Sequence, residues 1–205
     1  MSFANDYIVM RPIFGHPKLL LVCNAQKQEF VVKICKLDEF NAEYDAHLIL
    51  DKKYCPYIVK LKLGGYQICS THGILLLPKY NTFSWEIFRA HTRLFMWQLL
   101  MVSGHYLKFL ELLFQAIKCC HENEIVHRDI KPSNILWYWY DNKPHILLSD
   151  FGLSIDPDTS EFEIPVGTLS FMAPEVLITR VPEEAGGAID IWSAGVIFAE
   201  LVRNN

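Results

Sequence analysis

What the sequence lacks excludes several classes of protein. No apolar run approaches the ~18 residues that a membrane-crossing helix needs. The longest runs, Leu94–Trp97 and Leu99–Val102, are interrupted by Gln98. Its 6 cysteines form no C-x-x-C pair and no Cys/His spacing of the zinc type. There is no excess of one charge: 19 Lys and Arg stand against 23 Asp and Glu, a net charge of −4. That lacks the basic footprint of a general nucleic-acid binder, so no direct nucleic-acid binding is expected. Low-complexity tracts and internal repeats are also missing. The opening MSFANDYIVMRP has no basic segment followed by an apolar core, so no signal peptide is expected. The expectation is a soluble intracellular chain with six reduced thiols; a disulfide framework, which suits small secreted domains better, is the alternative.

What is present is a 205-residue chain that is 51% hydrophobic and 20% charged, enough for a sizeable core. Tyr7–Met10, Leu19–Val22 and Glu29–Cys35 read as strands, as do Ile58–Leu63 and Gly73–Leu77. Residues 38–50 read as a helix, with Phe40, Tyr44, His47 and Leu48 on one side. Phe83–Leu100 and Tyr106–Asn123 carry helical periodicity, the second with Leu107, Leu110, Leu113, Phe114 and Ile117 as its apolar stripe. Trp137–Tyr140 and His145–Leu148 flank Asp141-Asn142-Lys143-Pro144 as a hairpin, and Ile189–Val202 reads as a buried final helix. A boundary near Pro78–Asn81 divides the chain into residues 1–80, mostly strand, and 81–205, mostly helix.

The string His127-Arg128-Asp129-Ile130-Lys131-Pro132-Ser133-Asn134 lies between a helix and a strand, hence on a loop. Asp150-Phe151-Gly152 follows, then Gly167-Thr168, Ala173-Pro174-Glu175 and Asp190-Ile191-Trp192-Ser193-Ala194-Gly195. Each triplet alone is an ordinary turn or helix start; together, in this order, they are specific. They resemble the catalytic loop, metal-binding loop and activation-segment end of eukaryotic serine/threonine protein kinases.

That resemblance implies an α+β, bilobal fold: a small antiparallel β-rich N-lobe with one helix, and a mostly helical, incomplete C-lobe. It implies ATP and Mg²⁺ as cofactors and a protein substrate. Asp129 would orient the substrate hydroxyl and take its proton, and Lys131 would reach the γ-phosphate. Asn134 and Asp150 offer oxygens suited to Mg²⁺. Lys33, in Val31-Val32-Lys33-Ile34, would pair with the phosphates and with a glutamate on the next helix, Glu43 or its rival Glu39. Ile13 and Gly15 fall where the phosphate-covering loop is expected. Lys131 and Thr168 match the serine/threonine rather than the tyrosine class. Asp190 and His127 have structural roles in this reading. Thr159 or Ser160 is a candidate phosphorylation site, with Glu161 or Glu163 as a permanent charge instead.

The strings around Asp129 and Asp190, with Leu77-Pro78, look most like the cell division control protein seven kinases. That resemblance implies a role in cell-cycle control or replication initiation, an activating regulatory subunit and a nuclear location, the alternative being cytoplasmic. The long insert of that family between DFG and APE is missing. Two further departures stand out. The G-x-G-x-x-G loop is replaced by Met10-Arg11-Pro12-Ile13-Phe14-Gly15-His16-Pro17, where only Gly15 fits and both prolines lack an N–H. The chain also stops after the Asp190 helix, so an arginine partner for Glu175 is expected to be missing. An inactive, kinase-like binding module is the alternative function.

Overall fold

The alternation around Lys33 folds as a central strand. The computed structural model describes residues 6–13, 16–62, 65–80, 83–84, 105–141, 143–156, 166–178 and 186–203. Strands β1 (Tyr7–Ile13), β2 (His16–Asn24), β3 (Glu29–Lys36), β4 (Gly65–Gln67) and β5 (His72–Pro78) form one antiparallel sheet in the order β1-β2-β3-β5-β4. One face of this sheet buries Val22, Phe30, Val32, Ile74 and Leu76 together. Lys33 lies opposite Leu19 on one side and Leu75 on the other, so it shares the other face with them.

Helix α1 (Leu37–Lys52) follows β3 without a gap. Asp38 and Glu39 in its first turn and Lys52 in its last complement the helix dipole. It buries Phe40, Glu43, Ala46, His47 and Leu50. Tyr44 is half-buried on that side, but Leu48 is 40% exposed and belongs to the opposite face. The helix closes on a Schellman motif: Cys55 N–H donates to Leu50 O and Tyr54 N–H to Asp51 O, with Tyr54 at φ 54°.

Over residues 58–62 the expected strand Ile58–Leu63 does not form, and Leu63 lies outside the described residues. Its backbone bonds are split between partners: Val59 N–H donates to Leu148 O and Lys62 N–H to Leu76 O. A chain bonded to two separate strands builds no continuous ladder. Residues Phe83–Ser84 form a two-residue strand, β6, rather than a helix start. Residues 85–100 of the expected helix lie outside the described residues.

Helix α2 (His105–His121) faces the main core with Phe109, Leu112, Leu113, Ala116, Ile117 and Cys120. The expected stripe is rotated, since Leu107 is 59% and Phe114 42% exposed. The helix is apolar around enough of its circumference that two stripes overlap, and packing against the second sheet and the final helix, residues 188–203, selects one. Strands β7 (Ile135–Tyr140) and β8 (Lys143–Leu148) pair in that sheet, ordered β6-β7-β8. Tyr140 lies opposite Lys143, and Asp141 enters the turn at φ 50°, as a tight hairpin requires.

Helix α3 (Pro174–Ile178) and helix α4 (Ala188–Arg203) complete the described chain. Ile189, Ala194 and Ile197 of α4 are buried, whereas Ile191, Trp192, Phe198 and Val202 are exposed, so this helix is covered on one face only. Cys55 and Cys119 are brought side by side, Cα–Cα 6.3 Å, because the α1 closure delivers Cys55 to the α2 surface. Cys23, Cys35, Cys69 and Cys120 take no part in this pair. Among the described residues no helix is long and apolar enough to cross a membrane.

Candidate active site

The end of α2 aims the loop that follows it. Ile125 N–H donates to Cys120 O and Glu124 N–H to His121 O, with Glu124 left-handed at φ 59°. This second Schellman closure turns the chain into Val126, His127 and Arg128. Asp190, only 1% exposed at the start of α4, then pins the loop from below. Its Oδ2 accepts from His127 N–H and its Oδ1 from Arg128 N–H, both at 2.9 Å. His121 Nε2 lies 2.9 Å from the same Oδ2. Arg128 sits at φ 67°, a strained position for a residue with a side chain, and these bonds hold it there.

His127 is fully buried and packs its ring 4.7 Å from that of Phe151. Its Nε2 is 3.0 Å from Ser149 O, and Asp129 N–H approaches Nδ1 at 3.3 Å. Those partners place the ring proton on Nε2. His127 is thus a packing and positioning group, as expected.

Asp129 gathers three donors. Thr168 Oγ1 donates to its Oδ1 at 2.8 Å, Lys131 Nζ to its Oδ2 at 2.6 Å and Asn134 Nδ2 to its Oδ2 at 3.1 Å. Lys131 Nζ also donates to Thr168 Oγ1 at 2.9 Å. Asn134 gives its other donor to Asp129 O at 2.9 Å, so its amide oxygen is the part left for a cation. Ser149 donates twice to Asn134 O, through N–H at 2.9 Å and Oγ at 3.0 Å. Ser149 therefore ties the 127–134 loop to the 150–152 loop, a role the sequence reading missed.

Lys33 donates to the Glu43 carboxylate and, at 2.6 Å, to Asp150 Oδ1. The helix glutamate is thus Glu43, while Glu39 pairs with Lys18 at 2.7 Å. Burial alone would lower the Lys33 pKa, but the two carboxylates outweigh it and hold it above the ordinary lysine value. For Asp150, burial pushes upward and Lys33 more than reverses it, leaving the carboxyl below its ordinary range. Asp150 is also left-handed, at φ 67°. His47, one turn after Glu43, meets Phe151 edge-to-face with the ring centroids 5.5 Å apart. Its i+4 spacing from Glu43 was the available sequence signal.

Of these groups, Lys33, Glu43, Lys131, Asn134, Ser149 and Asp150 line one cleft of roughly 580 Å³. Leu21, Val31 and Leu136 make an apolar end; Lys33, Lys131, Asn134 and Asp150 make a polar end. Ile13 lines it too, whereas Gly15 lies outside the described residues, as do Thr159, Ser160, Glu161 and Glu163. Glu175 is half-buried in α3 and joins no ion pair among the described residues. No cluster of three His, Cys, Asp or Glu side chains stands ready for a metal among the described residues. A cation here would take two protein oxygens, from Asn134 and Asp150, plus those of its ligand. That donor set fits Mg²⁺, which binds few protein groups when phosphate oxygens are supplied.

Comparison with known proteins agrees with this geometry. The calcium/calmodulin-dependent protein kinase type 1 of Caenorhabditis briggsae is 42% identical over 85 residues, covering 42% of this chain and 23% of that protein. The carbon catabolite-derepressing protein kinase of Secale cereale is 41% identical over 91 residues, covering 44% and 17%. The CBL-interacting serine/threonine-protein kinase 21 of Arabidopsis thaliana is 36% identical over 96 residues, covering 46% and 22%. The matched part is thus less than a quarter of each of these relatives. The protein kinase domain family matches residues 18–205, nearly the whole chain. With its α+β fold and antiparallel N-terminal sheet, this chain belongs to the protein kinase domain family.

Proposed function

We propose that the chain is a serine/threonine protein kinase that transfers the γ-phosphate of ATP to a hydroxyl of a protein substrate. The observation that carries this is a single cleft lined by the Lys33–Glu43–Asp150 charge cluster and by Lys131 and Asn134, both of which donate to Asp129. The apolar end, between Leu21, Val31 and Leu136, suits a purine. Lys33 holds the α- and β-phosphates, and Glu43 keeps the ammonium in place. Asn134 and Asp150 hold Mg²⁺, which neutralises phosphate charge when bound. Asp129 accepts the proton of the substrate hydroxyl as its oxygen bonds to the γ-phosphorus; the bond to the β-bridging oxygen breaks and ADP leaves with that electron pair. Lys131 offsets the charge on the transferring group. Lys131 and Thr168 favour serine or threonine as acceptor, and one relative carries that specificity in its name.

Residues 1–80 and 81–205 act as the two lobes in this reading, with Glu175 supporting the substrate segment. A role in cell-cycle control or replication initiation, with an activating subunit and a nuclear location, rests only on the string resemblance to the cell division control protein seven kinases. A second reading, a kinase-like binding module without catalysis, is favoured by one observation: counting back from Gly15 along G-x-G-x-x-G, Pro12 and Met10 stand where the family has glycine.

Transfer of radiolabelled phosphate from Mg·ATP to serine/threonine peptides in an acidic context separates the two. The kinase reading expects transfer that vanishes in Asp129→Asn and Asp150→Ala. Absence of transfer from the folded wild-type chain, with or without a candidate activating subunit, would move the conclusion to the binding module.

A further inference from the structure

A β-bulge decides which side chains of β1 face the cleft. Val9 lies opposite Val22, but the next partner, Leu21, lies opposite Arg11, so Met10 is an extra residue. Side chains alternate between faces along a strand, and directly opposed residues share a face. An insertion therefore swaps faces for everything beyond it. Without the bulge, Met10 would share the face of Leu21, and Arg11 would face away. With it, Arg11 and Ile13 line the cleft with Leu21, and neither Met10 nor Pro12 does.

The charges around the cleft give Arg11 a distinct standing. Lys33 is neutralised by Glu43 and Asp150, Lys131 by Asp129, Lys18 by Glu39 and Lys79 by Glu29. Among the described residues, Arg11 lines the cleft without a carboxylate partner. The same hairpin is poor in what normally covers a phosphate chain. Pro12 and Pro17 have no N–H to offer, and side chains stand where glycines would let the backbone approach.

We infer that Arg11 is a phosphate-binding residue of the nucleotide lid, its guanidinium replacing the backbone N–H groups that the hairpin lacks. A guanidinium presents paired donors to phosphate oxygens, so one side chain substitutes for several amides. This rests on the nucleotide-binding reading given under Proposed function. Its consequence is a cleft whose hold on the phosphates depends on a side chain of β1.

Calorimetric titration of the whole chain with ATP and with adenosine tests this, using wild type, Arg11→Gln and Arg11→Lys. Wild type is expected to bind ATP more tightly than adenosine. Arg11→Gln is expected to lose about tenfold for ATP, the size of one charge-assisted contact at an open site, and less than about twofold for adenosine. Arg11→Lys is expected to regain part of the ATP loss, which a purely structural role would not do, and the loss is expected to shrink as salt rises. Equal losses for both ligands, or an unchanged ATP affinity in Arg11→Gln, would overturn the inference and leave the nucleotide reading standing. A wild-type chain that binds neither ligand would overturn both.

Discussion

Replacing Asp190 by Asn tests how the 127–134 loop is held. The change is nearly isosteric, but it exchanges one acceptor oxygen for an NH₂ donor. Oδ1 now accepts from Arg128 N–H and Oδ2 from His127 N–H, each at 2.9 Å, in a site that is 1% exposed. One orientation of the amide is favoured. Its oxygen stays with Arg128, and its NH₂ turns to the Oδ2 side, where His121 Nε2, at 2.9 Å, can accept. His127 N–H is then the group that loses its partner. A buried bond to a charged acceptor is worth about 1.5–3 kcal/mol, and an orphaned buried donor costs about 1–3 kcal/mol. Because these overlap, the expected destabilisation is about 2–4 kcal/mol, a large share of a total stability of about 5–15 kcal/mol. At about 1.4 kcal/mol per decade, amide exchange at His127 would quicken by roughly thirty- to several-hundred-fold. Arg128 would change less. Urea unfolding and residue-resolved exchange measure both quantities. A stability change below about 0.5 kcal/mol with unchanged protection at His127 would refute the view that Asp190 positions this loop.

Three further outcomes follow from other parts of the fold. Gly167 sits at φ 116° with Arg128 O only 2.6 Å from where a Cβ would stand, so Gly167→Ala should cost about 1–3 kcal/mol in a denaturant midpoint series and lower phosphoryl transfer; wild-type values would show that the 166–168 turn does not need this contact. Leu113, fully buried in α2, should cost about 2–5 kcal/mol as Leu113→Ala, whereas Leu107→Ala, on the exposed face, should stay within about 0.5 kcal/mol; equal costs would contradict the rotated stripe. Asp150 has a folded pKa below its unfolded value of about 3.9, so its contribution is complete above that pH and is lost as pH falls through the folded value. Asp150→Asn should therefore flatten the acid limb of a melting-temperature profile, and parallel wild-type and variant curves would contradict the ion pair with Lys33.

The candidate catalytic groups were legible because such chemistry is written in short strings. Asp129, Lys131 and Asn134 lie within one loop, Asp150 opens the triplet Asp150-Phe151-Gly152, and Thr168 closes the pair Gly167-Thr168. Lys33 and Glu43 were legible for a different reason: a strand running directly into a helix brings them together locally. What escaped the sequence depended on registers and partners that no short window contains. The bulge at Met10 alters the face of Arg11 without any glycine or turn residue to announce it. The stripe of α2 was misplaced because Leu107 and Phe114 are as apolar as the residues that displaced them. Ile58–Leu63 had strand composition, but its hydrogen bonds go to two different strands.

The crowding of donors around Asp129 has a geometric outcome. A carboxylate oxygen has two lone-pair directions. On Oδ2 both are taken, by Lys131 and Asn134, and on Oδ1 Thr168 takes one. Among the described residues a single vacancy is left on the group, and it lies on the oxygen that Thr168 touches. Any alcohol that surrenders its proton here must enter by that one direction, so the handedness of its approach is set before it arrives.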